Sequence, residues 1–154
     1  MRFRTEKHDH VLVLDLEGEL DTDGSAELEQ RCLYEQQEGT LHFVIALGSL
    51  RRISGPGLRV LLGLARSLPR TGGSLVLCEL DRKTEEALAV SGLHGAFEMA
   101  ADRAAALARS QQLRATGSRQ PPVERAEAQE KIDYAMELLG SRDPGNADED
   151  PRPD

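Results

Sequence analysis

Apolar residues alternate with polar ones, or run almost uninterrupted, in four short stretches of the chain, and each stretch predicts a β-strand, with residues 2–7 as an edge strand before the first of them. The stretch His-Val-Leu-Val-Leu-Asp-Leu-Glu at residues 10–17 alternates and begins at the turn His8-Asp9-His10. Residues 41–47 and 74–80 are almost wholly apolar. An uninterrupted apolar run is typical of a strand that is covered on both faces of a parallel sheet. The predicted strands are residues 2–7, 10–17, 41–47, 74–80 and 96–99.

Four other segments have helical spacing and alternate with the strands. The clearest carries Leu58, Leu61, Leu62, Ala65 and Leu68 on one stripe. Asp23 is a plausible N-cap for the first helix, Asp81 caps the third, and Ser91-Gly92 ends the third. The predicted helices are residues 24–38, 57–68, 82–90 and 102–113. Strands and helices that alternate with short loops predict an α/β fold, with about four helices on one mixed sheet of about five strands.

Composition changes after Leu113, so we place the folded domain at residues 1–114. Residues 115–122 read as a linker, and residues 123–139 predict a helix with Ala128, Ile132, Ala135 and Leu139 on one stripe. Residues 140–154 are polar and rich in proline, and predict a disordered acidic tail. Residues 119–154 hold −5 of the net charge of −8. This extension is either a solvated appendage or a partner-binding helix.

Charge and composition exclude several classes of function. A net charge of −8 has the wrong sign for direct binding of nucleic acid or an anionic membrane. The N-terminus has no apolar signal region, and no apolar run reaches membrane-spanning length. Cys32 and Cys78 are far apart and lie among apolar neighbours, which indicates buried free thiols in a reducing compartment. We therefore expect a cytoplasmic protein.

Catalytic and metal-binding patterns are absent from the sequence. The four histidines are scattered, and no phosphate-binding loop or dinucleotide fingerprint occurs. His8 and His10 have no third metal ligand nearby, and His42 within a buried strand reads as a core or edge histidine. We expect no enzyme activity, no metal and no cofactor.

One longer stretch carries a resemblance to a known family. Residues 43–62 read Phe-Val-Ile-Ala-Leu-Gly-Ser-Leu-Arg-Arg-Ile-Ser-Gly-Pro-Gly-Leu-Arg-Val-Leu-Leu, a buried strand, a short loop and an apolar helix. Gly18-Glu19-Leu20-Asp21 precedes it and Ser91-Gly92-Leu93 follows it, in matching order and spacing. Over about residues 8–110 the chain resembles the STAS family, in particular the bacterial anti-sigma factor antagonists.

The resemblance implies a protein-binding module in a partner-switching pathway. The expected partner is an anti-sigma factor, often a serine kinase of the ATP-binding type, which releases its sigma factor when the antagonist binds. In the family, phosphorylation of a Ser or Thr at the start of the helix near Gly57 ends that binding. An alternative is a STAS subunit of a transporter or of a ligand-sensing complex, since one fold carries many functions.

The chain departs from the family pattern at the phosphorylated position. The aligned residue is Gly55, which has no hydroxyl. Ser54 is the one remaining hydroxyl of the loop and thus a candidate phosphoacceptor. Because Pro56 prefers the first helical position, we expect Gly55 to be the N-cap and Ser54 to point elsewhere. The sequence therefore favours a module without the usual phosphorylation.

Other residues near this loop have two interpretations each. The acidic residue that many family members carry late in the strand is replaced by Ala46. Asp21 either caps a helix or contacts the partner, and the arginines around the loop either meet an acidic partner or are simply solvated. The candidate partner-binding residues are Asp21, Arg51, Arg52, Ser54, Gly55, Pro56, Gly57, Leu58 and Arg59.

Overall fold

The computed structural model describes residues 1–116 and 125–139, and in the last helix it describes the side chains from Ala128 onward. The strands are β1 (Arg2–His8), β2 (Val11–Leu20), β3 (His42–Ile53), β4 (Ser74–Cys78) and β5 (Glu98–Ala100). The helices are α1 (Thr22–Gln37), α2 (Gly55–Ser67), α3 (Arg82–Ser91), α4 (Arg103–Thr116) and α5 (Arg125–Leu139). Two short 3₁₀ turns, Leu68–Thr71 and His94–Ala96, follow α2 and precede β5. The predicted α/β fold on a five-stranded mixed sheet is confirmed.

The strands lie in the sheet in the order in which they occur along the chain. β1 pairs with β2 in antiparallel fashion, and the other three pairs are parallel. Asp9, in the turn between β1 and β2, has a left-handed φ of 56°. Parallel neighbours need crossover connections, and α1, α2 and α3 supply them.

Alternation along each buried strand separates two hydrophobic layers. Leu12, Leu14 and Leu16 of β2 face a core shared with α1, α2, α3 and α5. Val11 and Val13 face the opposite side, where Ala106 and Leu113 of α4 cover the sheet. β4 and the first six residues of β3 are therefore almost wholly apolar, because both of their faces are covered.

Several boundaries differ from the prediction. β3 continues to Ile53, whereas β4 ends at Cys78, which pairs with Ala46. β5 begins at Glu98, because the residues before it form the 3₁₀ turn. α4 continues to Thr116, so the first two residues of the predicted linker are helical. The rest of that linker, residues 117–122, and the predicted tail, residues 140–154, lie outside the described residues.

Helix α5 packs onto the domain through its apolar stripe. Ala128, Ile132, Ala135 and Leu139, the predicted stripe, are all buried, and Met136 is buried beside them. They belong to the same core as α2 and α3, the helices that α5 contacts. Lys131 Nζ also donates to the Gly92 carbonyl oxygen at the end of α3, at 3.4 Å. The extension thus includes a helix that docks on its own chain.

Candidate functional site

Two helices begin side by side where the neighbouring strands β2 and β3 end. Asp21 follows β2 and is the N-cap of α1, and Ser54 follows β3 and is the N-cap of α2. The Asp21 carboxylate accepts a hydrogen bond from the Gly24 N–H at 2.8 Å. The prediction that Asp23 caps α1 is therefore wrong, because Asp21 satisfies the first turn. Of the two interpretations of Asp21, the structure shows the capping role.

Ser54 joins the end of β2 to the start of α2. Its Oγ donates to the Leu20 carbonyl oxygen at 2.7 Å and accepts from the Gly57 N–H at 3.1 Å. Its backbone N–H also donates to the Leu20 oxygen, at 3.0 Å. The side chain has no exposed surface. The proton and one lone pair of this hydroxyl are therefore engaged within the fold.

The expectation that Gly55 caps α2 and that Ser54 points elsewhere is wrong. Gly55 is the first residue of the helix and Pro56 the second. Pro56 still lies in the first turn, where its missing N–H leaves no intrahelical hydrogen bond unmade. Serine is the stronger N-cap because its hydroxyl accepts from the first turn, whereas glycine offers no side-chain acceptor.

Gly57 allows the close approach of α2 to the end of β2. A Cβ at this position would lie 2.7 Å from Leu20 Cγ and 2.8 Å from the Leu20 carbonyl oxygen. No side chain fits in that space without displacing β2 or α2. Glycine here sets the distance between the two helix-capping turns.

Burial divides the nine candidate residues into a support and a surface. Ser54, Gly55, Gly57 and Leu58 are buried. The surface is formed by the remaining five, which are exposed or half-buried: Asp21, Arg51, Arg52, Pro56 and Arg59. The buried members position the turn, and the other five are the ones that solvent reaches.

Arg51 and Arg52 lie on an unusual part of the sheet. β4 stops opposite Ala46, so residues 47–53 of β3 pair with β2 on one side and have no strand on the other. This edge lines a shallow cleft with Leu80, Asp81 and Thr84 at the start of α3. Backbone groups on an unpaired strand edge are available for hydrogen bonds to another chain. The two arginines add positive charge to this edge.

Arg59 faces helix α5. Its Nη1 donates to Oε1 of Gln129 on α5 at 3.2 Å. This contact links residues 70 positions apart. A half-buried glutamine gives no sequence signal of such a role, so Gln129 was missed in the sequence.

A partly buried ion network lies on the other face of the sheet, beneath α4. Arg103 donates to the Asp15 carboxylate at 2.8 Å and to the Glu79 carboxylate at 2.9 Å. These hydrogen bonds, that to Glu79 first, raise the pKa of Arg103 above its ordinary value. Glu79 has a left-handed φ of 62°. The network fixes the start of α4 to β2 and β4, and its sequence separations hid it from sequence analysis.

The two thiols and His42 are buried parts of the fold. Cys32 and Cys78 are buried and free, as predicted, and burial raises the pKa of each to about 12. His42 is buried and its Nδ1 lies 2.8 Å from Ser74 Oγ, as expected for a core histidine. Within residues 1–116 and 125–139, no group of three or more His, Cys, Asp or Glu side chains is placed to hold a metal ion. None of the helices in these ranges is long and apolar enough to cross a membrane.

Comparison with known proteins identifies the family to which this domain belongs. The STAS domain model matches residues 2–106. The Bordetella bronchiseptica protein BtrV, assigned as an anti-sigma factor antagonist, is 35% identical over 108 residues, which are 70% of this chain and 93% of BtrV. The anti-sigma F factor antagonist of Paenibacillus polymyxa is 29% identical over 97 residues, 60% of this chain and 80% of that protein.

Solved structures show the same fold. A Thermotoga maritima protein assigned as an anti-sigma factor antagonist superposes with a TM-score of 0.66 at 19% identity, over 71% of this chain and 94% of its own. The Bacillus cell fate determinant SpoIIAA, in its phosphorylated form, superposes with a TM-score of 0.57 at 21% identity, over 70% of this chain and 98% of its own. The family model ends at residue 106, so α5 lies beyond it.

Proposed function

The chain belongs to the STAS domain family, with an anti-sigma factor antagonist type of domain, and we propose that it binds an anti-sigma factor through the turn between β3 and α2 without a phosphorylation switch. The expected partner is an anti-sigma factor of the ATP-binding serine kinase type. Binding would release the sigma factor that this partner holds. The two curated relatives are both named as antagonists of this class, which supports the proposal.

The proposal depends on one observation, which is that the turn has no accessible hydroxyl for a kinase to modify. Gly55 has no side chain to modify, and the Ser54 hydroxyl is fully buried with both of its hydrogen bonds made inside the fold. A kinase has to reach the oxygen and remove its proton, so modification would require the first turn of α2 to open. Phosphorylation would also end the donation to Leu20, since the phosphorylated oxygen carries no proton.

Charge on the surrounding surface supports an acidic contact on the partner. Arg51 and Arg52 are exposed on the unpaired edge of β3, next to the turn. Opposite charges across an interface accelerate association and exclude wrong partners, even where they add little affinity. The chain as a whole is acidic, so this local positive charge is distinctive.

The absence of the switch is tested by incubating the chain with its anti-sigma kinase and ATP, followed by mass spectrometry and a binding measurement. We expect no phosphate and unchanged binding. A SpoIIAA-type antagonist phosphorylated in the same mixture confirms that the kinase is active. A phosphopeptide that contains Ser54, together with loss of binding, would reject the proposal.

The binding surface is tested by charge reversal. Arg52→Glu on the β3 edge should weaken binding of the purified anti-sigma factor by tenfold or more, about 1.4 kcal/mol. Arg70→Glu is the matched control, because Arg70 is equally exposed but lies at the far end of α2. Equal affinities for both variants would contradict the assignment of this surface. Co-purification with a transporter ATPase instead of an anti-sigma factor would favour the alternative function.

A further inference from the structure

Helix α5 covers part of the helix that the proposed partner uses. It packs against α2 and α3, and its buried side chains, Ala128, Ile132, Ala135, Met136 and Leu139, belong to the same core as theirs. The family model ends before α5 begins. The α2–α3 face therefore belongs to the family domain, whereas its cover is an addition in this chain.

The cover reaches the candidate binding surface directly. Arg59, one of the exposed candidates on α2, donates to Gln129 of α5. A partner that bonded to Arg59 from the same side would occupy the space of Gln129. Lys131 fixes the other edge of the cover to the last turn of α3 through the Gly92 carbonyl oxygen. The contacts of α5 with the domain are thus one apolar stripe bordered by polar contacts, the pattern of a helix that binds in a groove.

We infer that α5 is an autoinhibitory helix: it competes with the anti-sigma factor for the α2–α3 face, and the factor binds tightly only when α5 is displaced. The inference rests on the proposed function, because it concerns the same surface of α2. A tethered helix competes as an intramolecular ligand, so the apparent affinity is the intrinsic affinity multiplied by the fraction of molecules in which the face is open. The factor would present an aliphatic helix surface of its own in place of Ile132 and its neighbours.

The variant that tests this inference is Ile132→Asp in the full chain. It places a carboxylate where a fully buried side chain meets the core, so α5 should detach. Leu138→Asp is the matched control, because Leu138 lies on the same helix with 39% of its surface exposed. Hydrogen exchange reports detachment independently of binding, through loss of protection of the α5 amides while the β-sheet amides stay protected.

Calorimetry with a purified anti-sigma factor then gives the affinities. We expect the Ile132→Asp variant to bind at least tenfold more tightly than the unaltered chain, and the Leu138→Asp variant to bind as the unaltered chain does. A synthetic peptide of residues 123–139, added in excess, should reverse the gain by occupying the open face. Equal or weaker binding by the variant with detached α5 would overturn the inference and leave the proposed function intact.

Two further results separate the inference from the proposed function. Failure of the factor to bind any form, the unaltered chain included, would overturn the proposed function and with it the competition. Should Ile132→Asp lose protection in the β-sheet as well, Ile132→Ala replaces it, because a smaller loss of contact opens the cover without adding a buried charge. Affinity that rises with α5 exchange across these variants supports autoinhibition, and affinity that does not change with it refutes autoinhibition.

Discussion

Replacement of Ser54 by alanine removes two hydrogen bonds that hold the candidate turn together. The hydroxyl accepts from the Gly57 N–H and donates to the Leu20 carbonyl oxygen, in a position with no solvent exposure. Loss of a serine N-cap destabilises a protein by about 1 kcal/mol. A buried neutral hydrogen bond adds roughly another 1 kcal/mol. The Leu20 oxygen keeps the Ser54 N–H, so no larger penalty follows. We expect a loss of about 2 kcal/mol in the free energy of unfolding.

Urea unfolding followed by circular dichroism measures this loss. With a slope of about 2 kcal/mol per molar urea, a loss of that size moves the midpoint by about 1 M. Asp81→Ala is the control, because Asp81 caps α3 through the single exposed hydrogen bond from Thr84. It should destabilise the chain by about 1 kcal/mol or less. A Ser54→Ala variant that lost no more stability than Asp81→Ala would refute the role assigned to the Leu20 contact.

Three other predictions concern packing, protonation and reactivity. Gly57→Ala should destabilise the chain by about 1–3 kcal/mol in urea unfolding because its Cβ collides with the end of β2, whereas Gly63→Ala, whose Cβ meets nothing within 4 Å, should stabilise α2 by about 0.5–1 kcal/mol. Burial first, and nearby positive charge second, lower the pKa of His42. Its neutral form therefore stabilises the fold above the ordinary histidine pKa of about 6.5, and this stabilisation is lost as the pH falls. Unfolding scans across this pH range should show a smaller loss of stability at acid pH for His42→Gln than for the unaltered chain. Cys32 and Cys78, with pKa values of about 12, should resist iodoacetamide at pH 8 in the native state and react in urea; rapid labelling of the native chain would contradict their burial.

The fold was predictable from the sequence because the spacing of apolar residues along the chain indicates most of its strands and helices. The apolar stretches predicted β2 to β5, and the stripe that includes Leu58 and Leu61 predicted the helix that packs on them. The end of β3 was not predicted, because the predicted strand stops at Leu47. Beyond Leu47 polar residues are mixed with Leu50 and Ile53, since β3 has lost its neighbour β4, and the strand continues only through its pairing with β2. A strand held by one neighbour has no continuous apolar signal.

The two wrong helix caps have a common physical cause. Asp21 and Asp23 both suit an N-cap, as do Ser54 and Gly55 with Pro56 nearby, and local preference alone does not choose between them. In the second case the choice depends on the Leu20 carbonyl oxygen, which belongs to another strand and lies 34 residues away in sequence. Such contacts are tertiary. The docking of α5 is unpredictable for the same reason, because a stripe predicts a buried face without naming what buries it.

The first turn of α2 also explains, within the proposed function, why a phosphate has little to bind there. A phosphate at a helix N-terminus is held by the free N–H groups of the first turn. In α2 the Gly57 N–H donates to Ser54 Oγ, the Leu58 N–H donates to the Ser54 carbonyl oxygen, and Pro56 has no N–H. Within that turn only the Gly55 N–H is left for an anion. Under our proposal, the turn therefore offers neither an accessible hydroxyl nor a phosphate site, and the control of binding moves from this turn to the helix that covers α2.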